Sequence, residues 1–442
     1  MTRPTVFAAV CAMLSAGATP VLAQAPLRLS VDEAVTRALE TSHRIAEGRA
    51  RQSGAEATVQ VRHSAERPTM SGSAAYMRTN HVEEFGFPQA GGGFRVVYPD
   101  VPDNVTTRVS FQWPIYTAGR LDALERAATA EMSAIEADIN TTRADLRLEV
   151  ERSYWALATG NETVRVLTES LARADAQVLD AQNRVAAGIA SPNEVFSFEA
   201  QRSQEQLQLI EAQNLRASVL VELRRLIGVT DEVLIEPSES LSPIDLRPKA
   251  ETSGLVVRAL NERPERQALL LRIAGAEARE QAAALTMRPT IGAGGGFDYA
   301  HPNAKIFPRE ATWKTSWDLS VNLTWPIFDG GRSKAESAEA RAAVTAARER
   351  LADLDAIVTA DVRQRTLDLA SAQAAVGAAD SGVRSAAEAR RVLGDRFAAG
   401  VATNVEVLMA QDALLKAELS RTRALANVRL AEARLARAVG RR

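Results

Sequence analysis

The sequence predicts a mixed, mainly α-helical fold that is built twice along one chain. Strands that alternate apolar and polar residues end at two Trp-Pro pairs, Trp113-Pro114 and Trp325-Pro326, which lie 325 − 113 = 212 residues apart. A very long, proline-free helical pattern follows each pair. Each long pattern ends in an Arg-x-x-x-Gly motif, and the motifs at Arg184 and Arg396 are again 396 − 184 = 212 residues apart. An internal duplication therefore organises the whole chain.

The composition excludes several classes of protein. The 442 residues include 53 Lys and Arg against 55 Asp and Glu, so no basic surface for nucleic acid is expected. The only cysteine, Cys11, lies near the N-terminus, which leaves the remainder without a disulfide or a thiolate metal site. After the N-terminal segment, no stretch is apolar for the ~20 residues that a membrane helix needs.

Residues 1–23 are predicted to be a secretory signal peptide. Arg3 supplies the positive start, and residues 6–18 form an apolar or small run that is too short to span a bilayer. The sequence Val21-Leu22-Ala23 before Gln24 fits a small-residue cleavage site, with cleavage after Ala23.

The first repeat is predicted over residues 24–229. Ser30 and Glu33 form a capping box that begins a helix, which should run to about residue 66 and stop before Pro68. A strand over residues 70–79, a loop rich in Gly and Pro over 81–104 and the strand that ends at Trp113 follow.

The second repeat, residues 251–442, has the same plan after a proline-containing linker at 230–250. A helix over 251–287, a strand from Ile291 to Tyr299, a loop at 301–311 and the strand that ends at Trp325 are expected. The first copy has the longer loop between its two strands, where insertions are tolerated.

Residues 121–185 and 334–397 are predicted to be single long helices. At 1.5 Å per residue, ~65 residues make a rod on the order of 100 Å. Apolar residues spaced three and four apart predict a packed stripe on the first rod: Val164, Leu167, Leu171, Ala174, Val178, Ala181 and Val185. The second rod has a similar stripe at Leu351, Leu354, Val358, Val362, Leu369, Ala372, Val376, Ala379 and Val383. An ordinary coiled coil is the alternative interpretation, against which the strand pairs between the rods argue.

Each rod ends in a related turn, which we call the first tip (residues 184–195) and the second tip (residues 396–407). Seven of the twelve positions are identical between the two tips. Gly188 and Gly400 can take the left-handed conformation that ends a helix. Capping boxes are predicted for Ser191 with Glu194 and for Thr403 with Glu406, and each would begin a returning helix.

The predicted strands can cross a membrane only if several chains assemble. A strand with one apolar and one polar face can cross a membrane only within a closed barrel, because free edges leave backbone groups unpaired. Four strands per chain cannot close around a lumen, since such barrels begin at about eight strands. Several chains must therefore share one barrel, and three chains would supply an even number, 3 × 4 = 12. An interfacial aromatic belt is expected at the strand-to-helix junctions from Trp113, Tyr116, Trp325 and Phe328.

With its internal duplication, its Trp-Pro-Ile-aromatic junctions followed by Gly-Arg and its Arg-x-x-x-Gly-x5-Glu-Val tips, the chain resembles the TolC family of outer-membrane efflux proteins. The resemblance covers about residues 29–440. It implies a homotrimer with a 12-stranded β-barrel in the lipid of the bacterial outer membrane, continuous with a long α-helical barrel in the periplasm. It also implies the exit channel of a tripartite efflux pump, with a periplasmic adaptor (membrane fusion) protein and an inner-membrane transporter as partners.

By this resemblance, the adaptor-binding tip residues are Arg184, Gly188, Glu194, Arg396, Gly400 and Glu406. Glu194 and Glu406 match acidic positions that narrow the periplasmic mouth and favour cations, although helix capping is the alternative role for both. The junction residues are Trp113, Pro114, Gly119, Trp325, Pro326 and Gly331. The chain departs from the family at Met409 and Ala402, where relatives can carry an acidic residue and a gate-linking arginine.

No cofactor, metal site or enzyme is expected. The four histidines, His43, His63, His81 and His301, show no metal-ligand spacing, and the glycine triplets lack the Lys-Ser/Thr of a phosphate loop. Two alternatives to small-molecule efflux remain: a type I protein secretion channel and, from another class, a periplasmic coiled-coil adaptor or scaffold.

Overall fold

The computed structural model describes residues 27–230, 233–241 and 252–441. The predicted signal peptide, residues 1–23, lies outside the described residues, as do residues 231–232 and 242–250 of the predicted linker.

The first half of the described chain begins with short elements and ends with two long helices. In chain order they are β1 (Leu27–Leu29), α1 (Val31–Thr41), α2 (His43–Ser64), β2 (Thr69–Arg78), β3 (Phe85–Pro88), β4 (Phe94–Tyr98), β5 (Asp103–Tyr116), α3 (Arg120–Ala186), α4 (Pro192–Ile227) and β6 (Ile235–Pro237).

The second half repeats the main elements. They are α5 (Thr252–Glu262), α6 (Pro264–Ala284), β7 (Thr290–His301), β8 (Lys314–Thr324), α7 (Arg332–Ala398) and α8 (Asn404–Val439). The mainly helical fold with two long strands per half, which the sequence predicts, is confirmed, although the described first half also has four short strands. Both predicted rods are single helices of 67 residues.

Each half also departs from the prediction in one helix. The expected helix over residues 31–66 is broken at Ser42, whose extended backbone caps α1. The expected helix over residues 251–287 is broken at Arg263, which is also extended. A residue that precedes proline avoids the helical conformation, and Pro264 follows Arg263. The loop predicted at 81–104 contains an antiparallel hairpin, β3–β4, that the sequence analysis missed.

The chain forms two compact units, and both repeats contribute to each. One unit comprises the described residues up to Ser42 together with the described part of Glu149–Asp245 and Ala372–Leu430. The other comprises His43–Leu148, the described part of Leu246–Ser371, and residues 431–441. Both α3 and α7 contribute residues to the two units.

The first unit is a helical assembly with a small parallel strand pair. Val166 and Leu167 of α3 pack with Leu415 of α8, and Leu209 of α4 covers this cluster. Every residue of the predicted stripe from Val164 to Val185 is buried or half-buried, so that prediction is confirmed. Strand β1 pairs with β6. The buried Tyr154 hydroxyl donates to the Leu29 carbonyl at 3.0 Å and so fixes this strand pair to α3.

The second unit contains the four long strands as one antiparallel sheet in the order β2-β5-β7-β8. The register places Met70, Phe111, Gly295 and Leu319 side by side on one face. Ser71, Ser110, Gly296 and Asp318 form the next row on the opposite face. The predicted alternation of apolar and polar residues is thus continued across all four strands.

Helices of the second unit approach one another closely, as small residues allow. A Cβ added at Gly275 of α6 would lie 3.4 Å from the Ala127 carbonyl oxygen of α3. A Cβ added at Gly48 of α2 would lie 2.9 Å from the Ile139 side chain of α3. Among the described residues, no helix is both long enough and apolar enough to span a membrane.

Arg437 joins three helices of the second unit. Its side chain is 13% exposed and lies 2.7 Å from Asp145 of α3, and it also donates to Glu265 of α6. Burial opposes the charge on this guanidinium, but the two carboxylates outweigh burial and raise the pKa of Arg437.

We expect Arg437→Ala to lower the free energy of unfolding by about 3 kcal/mol, because Glu265 would remain half-buried without a cation. Arg391→Ala is the matched control. Arg391 also pairs with two carboxylates, Glu388 and Asp395, but its side chain is 59% exposed, so its removal should leave stability nearly unchanged. Thermal denaturation of the detergent-solubilised protein measures both, and equal losses would contradict the assignment.

Candidate functional site: the two tips and the strand-to-helix junctions

Both tips close in the same way. Gly188 and Gly400 have φ angles of 73° and 76°, in the left-handed region. The Ile189 amide donates to the Arg184 carbonyl at 2.9 Å, and the Val401 amide donates to the Arg396 carbonyl at 2.9 Å. This is the Schellman arrangement, in which glycine reverses the chain at a helix end. The predicted turns at Gly188 and Gly400 are therefore formed.

The second tip carries the predicted capping box. The Glu406 amide donates to the Thr403 hydroxyl at 3.3 Å, and the Thr403 amide donates to the Glu406 carboxylate at 2.7 Å. The Thr403 hydroxyl also donates to this carboxylate at 2.9 Å. The bond from the Thr403 amide, and next the bond from its hydroxyl, lower the pKa of Glu406. The exposed carboxylate therefore stays charged at a lower pH than an ordinary glutamate does.

The first tip lacks the predicted capping box. The Ser191 hydroxyl accepts from the Asn193 amide at 3.4 Å, and the Glu194 carboxylate lies 3.5 Å from the Arg184 guanidinium instead. The side chains of Arg184 and Glu194 are 25% and 15% exposed. A nearby cation in a half-buried setting attracts the carboxylate more strongly than the neutral Ser191 amide, its partner in a capping box, does. The prediction for Ser191 with Glu194 is therefore wrong.

Arg184 also brings the two tips into contact. Its guanidinium carbon lies 4.4 Å from the ring centre of Phe397, which is in the last turn of α7. The Phe397 ring meets the buried Phe198 ring of α4 edge-on, with 6.3 Å between the centres. Arg396, the counterpart of Arg184, is exposed and acts on Glu406 through its charge alone. No sequence pattern pointed to Phe198 and Phe397, although the tip alignment pairs Phe397 with a smaller residue, Val185.

At the first junction the strand continues further than predicted. Strand β5 does not end at Trp113-Pro114 but runs to Tyr116, with a register irregularity between Pro114 and Tyr116 in its pairing to β7. Proline lacks an amide donor, and such irregularities are where strands accept it. The Trp113 indole donates to the Glu66 carbonyl at 3.2 Å. Gly119, with φ of 81°, precedes the first residue of α3.

The second junction is a tighter cap. Trp325 and Pro326 follow the end of β8. The Asp329 carboxylate accepts from the Gly331 amide at 3.0 Å and from the Ser333 amide at 2.8 Å, which begins α7. Ile327 and Phe328 between them are 83% and 87% exposed. The two junctions thus share their sequence motif but differ in how the strand ends.

We expect Arg184→Gln to loosen the first tip by about 1–3 kcal/mol, because the half-buried Glu194 carboxylate would lose its partner. Arg396→Gln, at the equivalent position of the second tip, is the control and should have little effect because Arg396 is exposed. Hydrogen exchange of the amides at 184–200 in both variants measures the difference. Equal exchange in the two variants would refute the contact.

Comparison with known proteins agrees with this geometry. The sequence model of the outer membrane efflux protein family matches residues 34–229 and 255–441. Protein CyaE of Bordetella pertussis is 27% identical over 339 residues, which cover 73% of this chain and 69% of CyaE. The cobalt-zinc-cadmium resistance protein CzcC of Cupriavidus metallidurans is 27% identical over 324 residues, with 71% and 72% coverage.

Among solved structures, the outer membrane protein VceC of Vibrio cholerae matches with a TM-score of 0.76 at 19% identity, over 93% of this chain and 96% of VceC. The fold is therefore that of the TolC-like channels, and the resemblance seen in the sequence is confirmed. The chain belongs to the outer membrane efflux protein family: it is an outer-membrane channel of efflux and secretion systems with its helical part in the periplasm, not an enzyme.

Proposed function

We propose that three copies of this chain form one 12-stranded β-barrel in outer-membrane lipid, as a homotrimer. The single observation that carries the proposal is the four-stranded sheet, whose outer strands β2 and β8 have no further strand beside them among the described residues. In lipid, each unpaired backbone group costs several kcal/mol, so the edges need partners. Strand β8 of one copy and β2 of the next supply them.

The two faces of the sheet support a barrel with one face toward lipid and the other toward the lumen. One face exposes large apolar side chains that suit lipid: Met70, Val109, Phe297, Trp317, Leu319, Val321 and Leu323. The other face carries charges that neutralise one another. Arg108 lies 2.7 Å from Asp298 and 3.0 Å from Asp318, and Lys305 contacts the same two carboxylates. Such a face suits a water-filled lumen.

The channel serves as the exit of a tripartite efflux pump, together with a periplasmic adaptor and an inner-membrane transporter. The tips, with Arg184, Gly188, Arg396 and Gly400, are the adaptor-binding region. Apolar side chains at the tips support a protein partner, since Ile189 and Val401 are 71% and 63% exposed. Phe196, Val405 and Met409 are exposed beside them.

The aromatic residues of the junctions mark the membrane interface. Trp113, Tyr116, Trp325 and Phe328 are all exposed near the ends of the strands, and the amphipathic rings of Trp and Tyr suit the headgroup level. Pro114, Gly119, Pro326 and Gly331 shape the passage from strand to helix at these points.

Glu194 and Glu406 form rings of carboxylates at the periplasmic mouth in the trimer. Their contacts differ, and so should their effects. Glu194 is already neutralised by Arg184, whereas Glu406 is exposed and has a lowered pKa. Glu406 is therefore the main determinant of cation preference.

We expect Glu406→Gln to reduce the cation preference of the purified channel more than Glu194→Gln does. Reversal potentials in a salt gradient across a planar bilayer measure it, and the two substitutions are matched in chemistry and in their place in the repeat. A wild-type protein that remains monomeric in detergent, or that conducts no ions, would overturn the trimeric channel.

The cargo is proposed to be small molecules or ions. The name of CzcC, a cobalt-zinc-cadmium resistance protein, supports this class. A strain that lacks this chain should become more sensitive to toxic metals or drugs, and the wild-type gene should restore resistance. Unchanged sensitivity with the loss of one secreted protein would instead identify a type I secretion channel.

A further inference from the structure

Four ligating side chains meet where α2 ends and α3 begins. His63 is in the last turn of α2, Glu66 is in the turn that follows, Asp122 is in the first turn of α3 and Glu125 is one turn later. Residues three apart share a helix face, so Asp122 and Glu125 point to the same side. The His63 Nδ1 atom lies 3.3 Å from a Glu125 carboxylate oxygen.

The potential ligand atoms are close enough to share one ion. One atom from each of His63, Glu66 and Glu125 lies within 4.8 Å of the others. Asp122 neighbours Glu66. Zinc binds nitrogen and oxygen at about 2.0–2.2 Å, which separates neighbouring ligand atoms by about 3.4 Å. The side chains of His63 and Glu125 are 43% and 30% exposed, so they have room for small rotations. Such rotations can bring the ligand atoms from their present separation to the spacing of a zinc site.

The charge of this cluster is unbalanced, unlike its surroundings. Further along α3, Glu131, Asp138 and Asp145 each pair with an arginine. Across the described residues, by contrast, the ion pairs of the cluster carboxylates include no Lys or Arg, and His63 is their one basic partner. Three carboxylates against one imidazole leave an excess of negative charge that a divalent cation would neutralise.

The backbone around the cluster is held in place. The Glu66 amide donates to the His63 carbonyl at 3.3 Å, and the Glu66 carbonyl accepts from the Trp113 indole at 3.2 Å. Glu66 is thereby fixed between the end of α2 and the strand β5. The site is therefore anchored on three elements of one compact unit.

We propose that His63, Glu66 and Glu125, with Asp122 as a fourth ligand, bind one divalent transition-metal ion of the zinc class. One imidazole with carboxylates is a donor set that such ions accept. The ion ties the end of α2 to the start of α3 at the base of the sheet. The expectation that no histidine has metal-ligand spacing overlooked this cluster, because Glu125 lies 62 residues after His63.

Titration calorimetry with Zn²⁺ on the untagged, metal-free, detergent-solubilised full chain tests the proposal. We expect one ion per chain. We also expect His63→Gln and Glu125→Gln each to bind Zn²⁺ at least about tenfold more weakly than the wild type does. His81→Gln is the matched control. His81 also pairs with a carboxylate, Asp100 at 2.7 Å, but belongs to no three-ligand cluster among the described residues, so this variant should bind as the wild type does.

Wild-type crystals soaked in Zn²⁺ give a second measurement that depends on no variant. Anomalous diffraction at the zinc edge should place the ion beside His63 Nδ1. The absence of Zn²⁺ binding, binding that survives both substitutions, or an anomalous peak only elsewhere would each overturn the site. None of these results bears on trimer formation or conductance, which are measured separately.

Discussion

Backbone hydrogen bonding at the edges of one sheet is the constraint on which the proposed trimer depends. The order β2-β5-β7-β8 pairs each inner strand on both sides and leaves β2 and β8 with one open edge each among the described residues. An apolar medium penalises every unpaired amide and carbonyl, so in lipid these two edges would need partner strands. The two halves of the duplication meet at β5 and β7, which pair over almost their whole length. The duplication therefore joins the two hairpins, β2–β5 and β7–β8, into one sheet but leaves the outer edges of that sheet open among the described residues.

The two tips show how duplicated sequence can acquire different contacts. Both close on a left-handed glycine with the same pair of backbone hydrogen bonds. Their polar side chains then diverge, because Phe397 offers a ring to Arg184 and the equivalent residue of the first copy is Val185. The stacked arginine draws Glu194 away from Ser191, whereas Glu406 stays on Thr403. The duplicated glutamate therefore pairs with the neighbouring helix in the first tip and caps its own helix in the second.

Local patterns predicted the elements whose causes are local. The strands at 105–113 and 317–323 follow from period-two alternation, and the ends of α3 and α7 follow from Gly188 and Gly400. The break at Arg263 had a visible signal in Pro264, whereas Ser42 offers no comparable breaker. The contacts of Glu194 with Arg184 and of His63 with Glu125 depend on packing between helices, which periodicity does not specify. The division into repeats at 24–229 and 251–442 stays a prediction.

The equivalent helices of the two copies are equal in length, which limits the insertions and deletions that they can accept. Helices α3 and α7 each have 67 residues, and α4 and α8 each have 36. A single inserted residue would turn everything after it by about 100° and advance it by about 1.5 Å, which misaligns one copy with the other. The two copies differ in length instead between their long strands, where the first copy carries the hairpin β3–β4 between β2 and β5. Insertions and deletions among descendants of this gene should concentrate in that segment.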